Sequence, residues 1–164
     1  MRLIGAALVV LSCAVLGLAR AEMGRRRLRL LRALAVALHT LEGELCDSLR
    51  PVRETLELLA ASGDEAAPFF RHCLEDYGER PLRLLWTELA EGLEGLTAEE
   101  RQALARVGTV VGRRETERQR EELSRAAAFF EAAAASAGKT AGKEYRLRAA
   151  LGLGSGVLLA VLAI

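Results

Sequence analysis

Two uncharged apolar runs, one at each end, constrain this chain more than any other feature. Residues 3–19, "LIGAALVVLSCAVLGLA", carry no charge, and neither do residues 149–164, "AALGLGSGVLLAVLAI". At about 1.5 Å rise per residue, a helix over either run just crosses or slightly undershoots a hydrocarbon core of roughly 30 Å, and a small shortfall is accommodated at modest cost. The leading run can be read as a signal peptide cut after Ala19-Arg20-Ala21. It can also be read as a lipoprotein signal at Val10-Leu11-Ser12-Cys13, or as an anchor that is never removed. Its flanks favour the anchor. Only Arg2 precedes it, whereas Arg20, Arg25, Arg26, Arg27, Arg29 and Arg32 follow, offset by Glu22. A secretory signal has the opposite polarity, basic first and neutral after the cut. The trailing run is likewise preceded by Lys139, Lys143, Arg146 and Arg148. Both basic flanks therefore point to the middle of the chain, and positive residues beside a membrane helix stay on the cytoplasmic side. The expected layout is an N-terminal anchor over 1–22, a cytoplasmic domain over 23–145 and a C-terminal transmembrane helix over 146–164.

Charge limits what the middle can do. Of 23 Lys+Arg only Arg2 lies within the apolar ends 1–19 and 149–164, so residues 20–148 balance 22 basic against 22 acidic residues. That neutrality argues against a nucleic-acid binder, which needs a basic excess or stripe. One Trp, two Tyr and four Phe also make a poor stacking platform for single strands. The arginines gather beside the leading run, where anionic lipid headgroups are the simpler partner.

The internal segments all read as helix. Leu28, Leu31, Leu34, Leu38, Leu41, Leu45 and Leu49 recur every three or four residues and form one stripe. Arg50-Pro51 should end that helix, because the residue before proline is pushed out of the helical region. Pro51 suits the first position of a second helix carrying Val52, Leu56 and Leu59. A third over about 65–76 turns Phe69, Phe70, Cys73 and Leu74 inward. Pro81 opens a fourth, with Leu85, Trp86, Leu89 and Leu93 inward. Thr97-Ala98-Glu99-Glu100 is a capping box that starts a fifth, expected to run to Gly112. A sixth should begin near Arg113, charged through Arg125 and alanine-rich beyond, and be weakened at Gly138 and Gly142 before the final apolar helix. No strand-like alternation and no repeat interrupts this pattern. The fold class expected is all-α, a small cytoplasmic bundle of about six helices flanked by N- and C-terminal transmembrane helices.

Motifs of chemistry are missing. Gly152-Leu153-Gly154-Ser155-Gly156 follows no strand and precedes no lysine, so it is no phosphate loop. The three cysteines, Cys13, Cys46 and Cys73, have no CxxC spacing. His72 and Cys73 are adjacent and diverge on a helix, while His39 and Cys46 share a face but make only two ligands. Glu99/Glu100 and Glu121/Glu122 point in different directions on a helix. Arg118–Glu122 and Glu121–Arg125 are spaced for ion pairs on an exposed face, which also serves as a docking surface if a partner exists. No catalytic residue, cofactor or metal is expected. Gly152 and Gly156 form a small-xxx-small pair that permits close approach of another membrane helix, the first anchor being the natural one.

The order of these features resembles the stage III sporulation protein AB family of endospore-forming bacteria over nearly the full length. There the segment equivalent to 48–60 reads like "glxPLxeALexLA", matched by Leu49, Pro51, Val52, Thr55, Leu56 and Ala60. The segment near 111–119 reads "LGxxDxxxQ", matched by Gly112 and Gln119, with Val111 and Glu115 departing from it. The resemblance implies a non-enzymatic platform similar to the cytoplasmic domains of type II secretion inner-membrane platform proteins. It implies docking of a secretion-type ATPase, stage III sporulation protein AA, in the channel complex between mother cell and forespore. Other membrane proteins of the stage III sporulation A operon and the lipid bilayer are further implied partners, nucleic acid is not, and self-association is left open. Without an ATPase partner the same residues describe a membrane-anchored scaffold or receptor-type module. A secreted helical protein starting at Glu22, or a membrane enzyme, are weaker alternatives, the latter because no polar cluster converges near the apolar runs.

Overall fold

The computed structural model describes the backbone of residues 2–112 and 116–162, and the side chains of residues 22–112 and 116–139. Six helices follow in order: α1 (Arg2–Glu42), α2 (Val52–Ala60), α3 (Ala67–Glu75), α4 (Leu82–Gly92), α5 (Ala98–Val107) and α6 (Thr116–Leu162). The described residues contain no strand, only an isolated bridge between Tyr77 and Arg80. The all-α class is therefore as expected, with one revision. The apolar runs are not separate helices added to a bundle of six; they are the opening of α1 and the close of α6. Among the described residues no helix is long and apolar enough to cross a membrane. The runs 3–19 and 149–164, on which that expectation rests, lie outside the residues whose side chains are described.

The chain divides into two compact units, one over residues 26–134 and one made of residues 1–25 and 135–164, the outer stretches of α1 and α6. The hydrophobic core belongs to the first. Leu31, Leu34, Leu38 and Leu41 are fully buried along α1, as the leucine stripe requires, and Leu56, Leu104, Leu123 and Phe130 are fully buried on the other helices. α2 packs on α3, α3 on α4, and α4 on α5. Burying apolar side chains of this size contributes about 1.5–3 kcal/mol each, which is what holds short helices such as α2 and α3 together.

An aromatic cluster forms the centre of α3 and α4. Phe69 and Phe70 meet edge to face at 5.2 Å, and Trp86 lies 5.0 Å from Phe69 and 5.9 Å from Phe70. Such edge-to-face pairs add about 0.5–1.5 kcal/mol beyond burial. The Trp86 indole N–H donates to the Leu104 carbonyl at 2.8 Å, so the fully buried ring leaves no polar atom stranded. Gly108 lets α5 come this close, because a Cβ there would lie 2.6 Å from the Trp86 ring.

The helix starts have visible local causes. Thr97 caps α5 reciprocally: Glu100 N–H donates to Thr97 Oγ1 at 3.3 Å and Thr97 N–H donates to Glu100 Oε2 at 2.7 Å. The same Glu100 is buried and accepts from Arg27 Nη2 at 2.7 Å, while Arg27 Nε donates to the Gly95 carbonyl at 3.1 Å. One carboxylate thus fixes both the start of α5 and its contact with α1. Asp64 Oδ1 accepts from the N–H groups of Ala66 and Ala67 at 2.9 and 3.0 Å and nucleates α3. Pro51 and Pro81 stand one residue earlier than helix-start chemistry suggested, as N-caps with extended ψ values of 140° and 122°.

Three expectations are corrected. First, the leucine stripe does not reach Leu49. After Glu42 the backbone widens into a π-helical turn over Gly43–Asp47, which inserts extra arc and shifts the register. Leu45 and Cys46 stay buried, but Leu49 is 72% exposed with φ 50°, a left-handed conformation imposed as the chain turns into Arg50-Pro51. Second, α5 stops at Val107 rather than Gly112. Tight turns follow, with the N–H groups of Val110 and Val111 both donating to the Val107 carbonyl, and Gly112 closes them at φ 79°. Those turns still bury Val110 and Val111. Third, Gly138 and Gly142 do not interrupt α6, which runs unbroken to Leu162. The expected start of this helix at Arg113 lies outside the described residues, which resume at Thr116.

Candidate functional site

The segment leaving α1 and the start of α6 meet, and Pro51, Gly112 and Gln119, three of the positions singled out in the sequence, lie in or beside them. A Cβ on Gly112 would touch Val52 Cγ2 at 3.5 Å, so the glycine lies against the first residue of α2, next to Pro51. Pro51 is exposed, and its carbonyl accepts from the fully buried Thr55 hydroxyl at 3.2 Å. Gln119 is buried on the inner side of α6 at 5% exposure. Glu115 lies outside the described residues, as do the surroundings of Gly152 and Gly156 within α6.

Polar contacts bind the two segments together. Arg120 Nη2 donates to Asp47 Oδ1 at 2.7 Å, which raises the arginine pKa further, chiefly through that hydrogen bond. The Cys46 thiol points to the Thr116 carbonyl at 3.8 Å. Burial pushes the Cys46 thiol pKa up, and the nearby Arg120 charge offsets part of that rise. Glu44 and Arg50 lie at ion-pair distance, 3.1 Å, yet Glu44 Oε2 and Arg120 Nε are buried without a well-aligned hydrogen bond.

Outward from this junction runs a shallow groove of about 450 Å³ lined by Glu42, Glu117, Arg120, Glu121, Ser124, Arg125 and Ala128. Arg125 is held at 2.7 Å by both Glu121 and Glu122, so the i,i+4 pair anticipated between 121 and 125 forms. Farther along, His39 of α1 meets Glu131 of α6 at 3.0 Å. The groove lining holds no cysteine or histidine; within it Glu121 pairs with Arg125, while Arg120 pairs with Asp47 outside it.

The isolated candidates sit apart. His72 Nδ1 bonds back to the Pro68 carbonyl at 2.6 Å on the exposed side of α3, while Cys73 faces the core. Desolvation pushes the Cys73 thiol up to about 12, which leaves it protonated and unreactive in the folded state. No group of three or more His, Cys, Asp or Glu that could hold a metal exists among the described residues. Sequence reasoning missed Asp47, Cys46 and Arg120 as the link between the two segments. The signal available was only adjacency: Arg120 follows Gln119, and Asp47 shortly precedes Pro51.

The family model described as stage III sporulation protein AB matches residues 2–164. The chain belongs to that family. No curated protein and no solved structure matches it. Membership makes this a stage III sporulation protein, in a family that is not a known enzyme family.

Proposed function

We propose that this protein is a non-enzymatic membrane platform of a sporulation channel complex between mother cell and forespore. Its helical domain faces the mother-cell cytoplasm and docks a secretion-type ATPase, stage III sporulation protein AA. ATPase motion passes through the domain to its two membrane helices and on to the channel, with other stage III sporulation A-operon membrane proteins as neighbours. The observation that carries this reading is the match to the stage III sporulation protein AB family over residues 2–164. Two features support it. The uncharged runs at both ends carry their basic flanks toward the middle of the chain, the polarity of a domain held on the cytoplasmic side. The domain between them presents ion-paired surfaces, among them the Glu121–Arg125 and Glu122–Arg125 pairs beside the groove.

The test has two arms. Topology reporters fused after residue 164 and inserted at the turn near Gly63 are expected to read external and cytoplasmic, respectively. Co-purification of the full chain in detergent with the ATPase is expected to recover both proteins. An external loop, or an absence of ATPase contact, would sink the reading. Loss of the ATPase contact with the topology intact would leave a membrane-anchored scaffold instead.

A further inference from the structure

Leu49 stands where the domain itself gains nothing from a leucine. It follows Ser48, the cap of the π-helical turn, and its φ of 50° is the left-handed conformation that glycine normally supplies at a helix end. A Cβ is disfavoured there because it crowds the following carbonyl oxygen. The side chain is 72% exposed, so burial within the domain does not offset that strain. The position is nevertheless held firmly. The N–H of Ser48 donates to the Gly43 carbonyl at 2.9 Å and that of Arg50 to the Glu44 carbonyl at 2.8 Å, so the residue on either side is bonded back to the turn. The three nearest charged residues along the chain are all paired: Arg50 with Glu44 at 3.1 Å, Asp47 with Arg120 at 2.7 Å and Arg53 with Glu57 at 3.1 Å. Leu49 is thus an apolar knob, fixed in place and flanked by charges that are already neutralised. Its location within residues 26–134 is equally definite. The pairs Asp47–Arg120 and His39–Glu131 set α1 and α6 antiparallel. The chain enters this unit at Arg26 on α1 and leaves it at Ala134 on α6, each about 20 Å or more along its helix from the Asp47–Arg120 pair. Leu49 lies at the opposite end of the unit from both crossings.

We infer that Leu49 is the knob through which this domain docks a partner protein, its side chain entering a pocket there that is lined by apolar groups and rimmed without net charge. The inference rests on the docking reading above and deepens it by naming the surface and the chemistry of the contact; the partner is the ATPase of that reading. A knob already fixed in its bound conformation loses little entropy on docking. At the centre of an interface, a buried side chain ringed by near-neutral contacts that exclude water carries much of the affinity. The paired charges around Leu49 suit such a partner better than an anionic surface, which selects unpaired cations. A second copy of the chain offers the leucine no seat in the groove beside α6, whose lining is mostly charged.

The test measures the affinity of the full chain in detergent for the ATPase, together with the melting temperature and the oligomeric state of each variant. Losing one fully buried leucine from an interface corresponds to about ten- to a hundredfold in affinity. Leu49→Ser should weaken binding by that factor. Leu49→Gly should do the same while raising the melting temperature, which separates contact from folding. Leu49→Met, close in volume, should hold the affinity within about threefold. Leu84→Ser, at another exposed leucine on α4, should leave the affinity unchanged. Raising the salt from ~0.1 to ~0.5 M should weaken wild-type binding by less than about threefold, because no unpaired charge takes part. Undiminished binding of Leu49→Ser or Leu49→Gly, an equal loss in Leu84→Ser, or a steep salt dependence overturns the inference while the docking reading stands. Self-association of the chain that Leu49→Ser abolishes would assign the knob to a second copy and overturn it too. If the wild-type chain itself makes no contact with the ATPase, the docking reading fails and this inference falls with it.

Discussion

Replacing Gly108 by alanine tests the closest approach in the core, and two effects pull in opposite directions. Gly108 has φ −59° and ψ −17°, a helical conformation that alanine adopts freely. By backbone entropy alone, Gly108→Ala should stabilise by roughly 0.4–1 kcal/mol. Sterics oppose this. The new methyl would lie 2.6 Å from Cδ1 and Cγ and 2.8 Å from Cβ of Trp86, inside the distance real carbon contacts keep. The ring has no easy retreat: it is fully buried, flanked by Phe69 and Phe70, and tied to the Leu104 carbonyl at 2.8 Å. Overpacking of this kind costs about 1–3 kcal/mol, and losing the indole hydrogen bond adds about 1–1.5 kcal/mol. The net expectation is a loss of about 2–3 kcal/mol, which for a domain of this size lowers the melting temperature by roughly 10–20 °C. Thermal unfolding of the full chain in detergent, followed by circular dichroism, reads it directly. Gly92→Ala is the control, since a Cβ there meets nothing within 4 Å and should be neutral or slightly stabilising. A melting temperature for Gly108→Ala equal to or above wild type would refute the close approach of α5 to Trp86.

Leu49 is exposed and left-handed, so Leu49→Gly should relieve backbone strain and raise the melting temperature by a few degrees, about 0.5–1 kcal/mol; a clear fall would mean the side chain packs. Thr97→Ala removes the α5 cap and is expected to cost about 1 kcal/mol, readable in the same denaturation assay. Glu100→Gln, which loses charge-assisted bonds to both Arg27 and the Thr97 N–H, should cost more than Thr97→Ala, about 2 kcal/mol. Cys73 has its pKa raised from 9.0 to about 12 by burial. Its contribution to stability is complete below pH 9 and is lost as pH rises toward 12, because only the unfolded thiol ionises there. At pH 8 a thiol reagent should modify Cys73 only on unfolding, and rapid labelling of the native chain would contradict its burial.

Much of the fold could be read locally. The spacing from Leu31 to Leu45, the Thr97–Glu100 capping box and the prolines ahead of α2 and α4 act through neighbours three or four residues away, so their consequences are visible in a string of letters. The positions of the candidate site were only half legible. Pro51, Gly112 and Gln119 could be named from a family pattern, but not what they touch. Leu49 looked like one more leucine in a stripe, because a π-helical turn leaves no periodic mark and moves every later side chain off register.

What the sequence determined by itself was therefore the class, an all-helical chain with uncharged apolar ends and a neutral, charge-rich middle, since periodicity and charge are properties of short windows. Tertiary structure alone decided which charges are spent. Arg27 and Arg25 are two residues apart and chemically identical, yet one is drawn to a carboxylate 73 positions away and the other is left exposed. Asp47 and Arg120, equally distant in the chain, are joined in the same way. Such pairings depend on how helices pack across the core, and packing brings together residues that no local pattern relates.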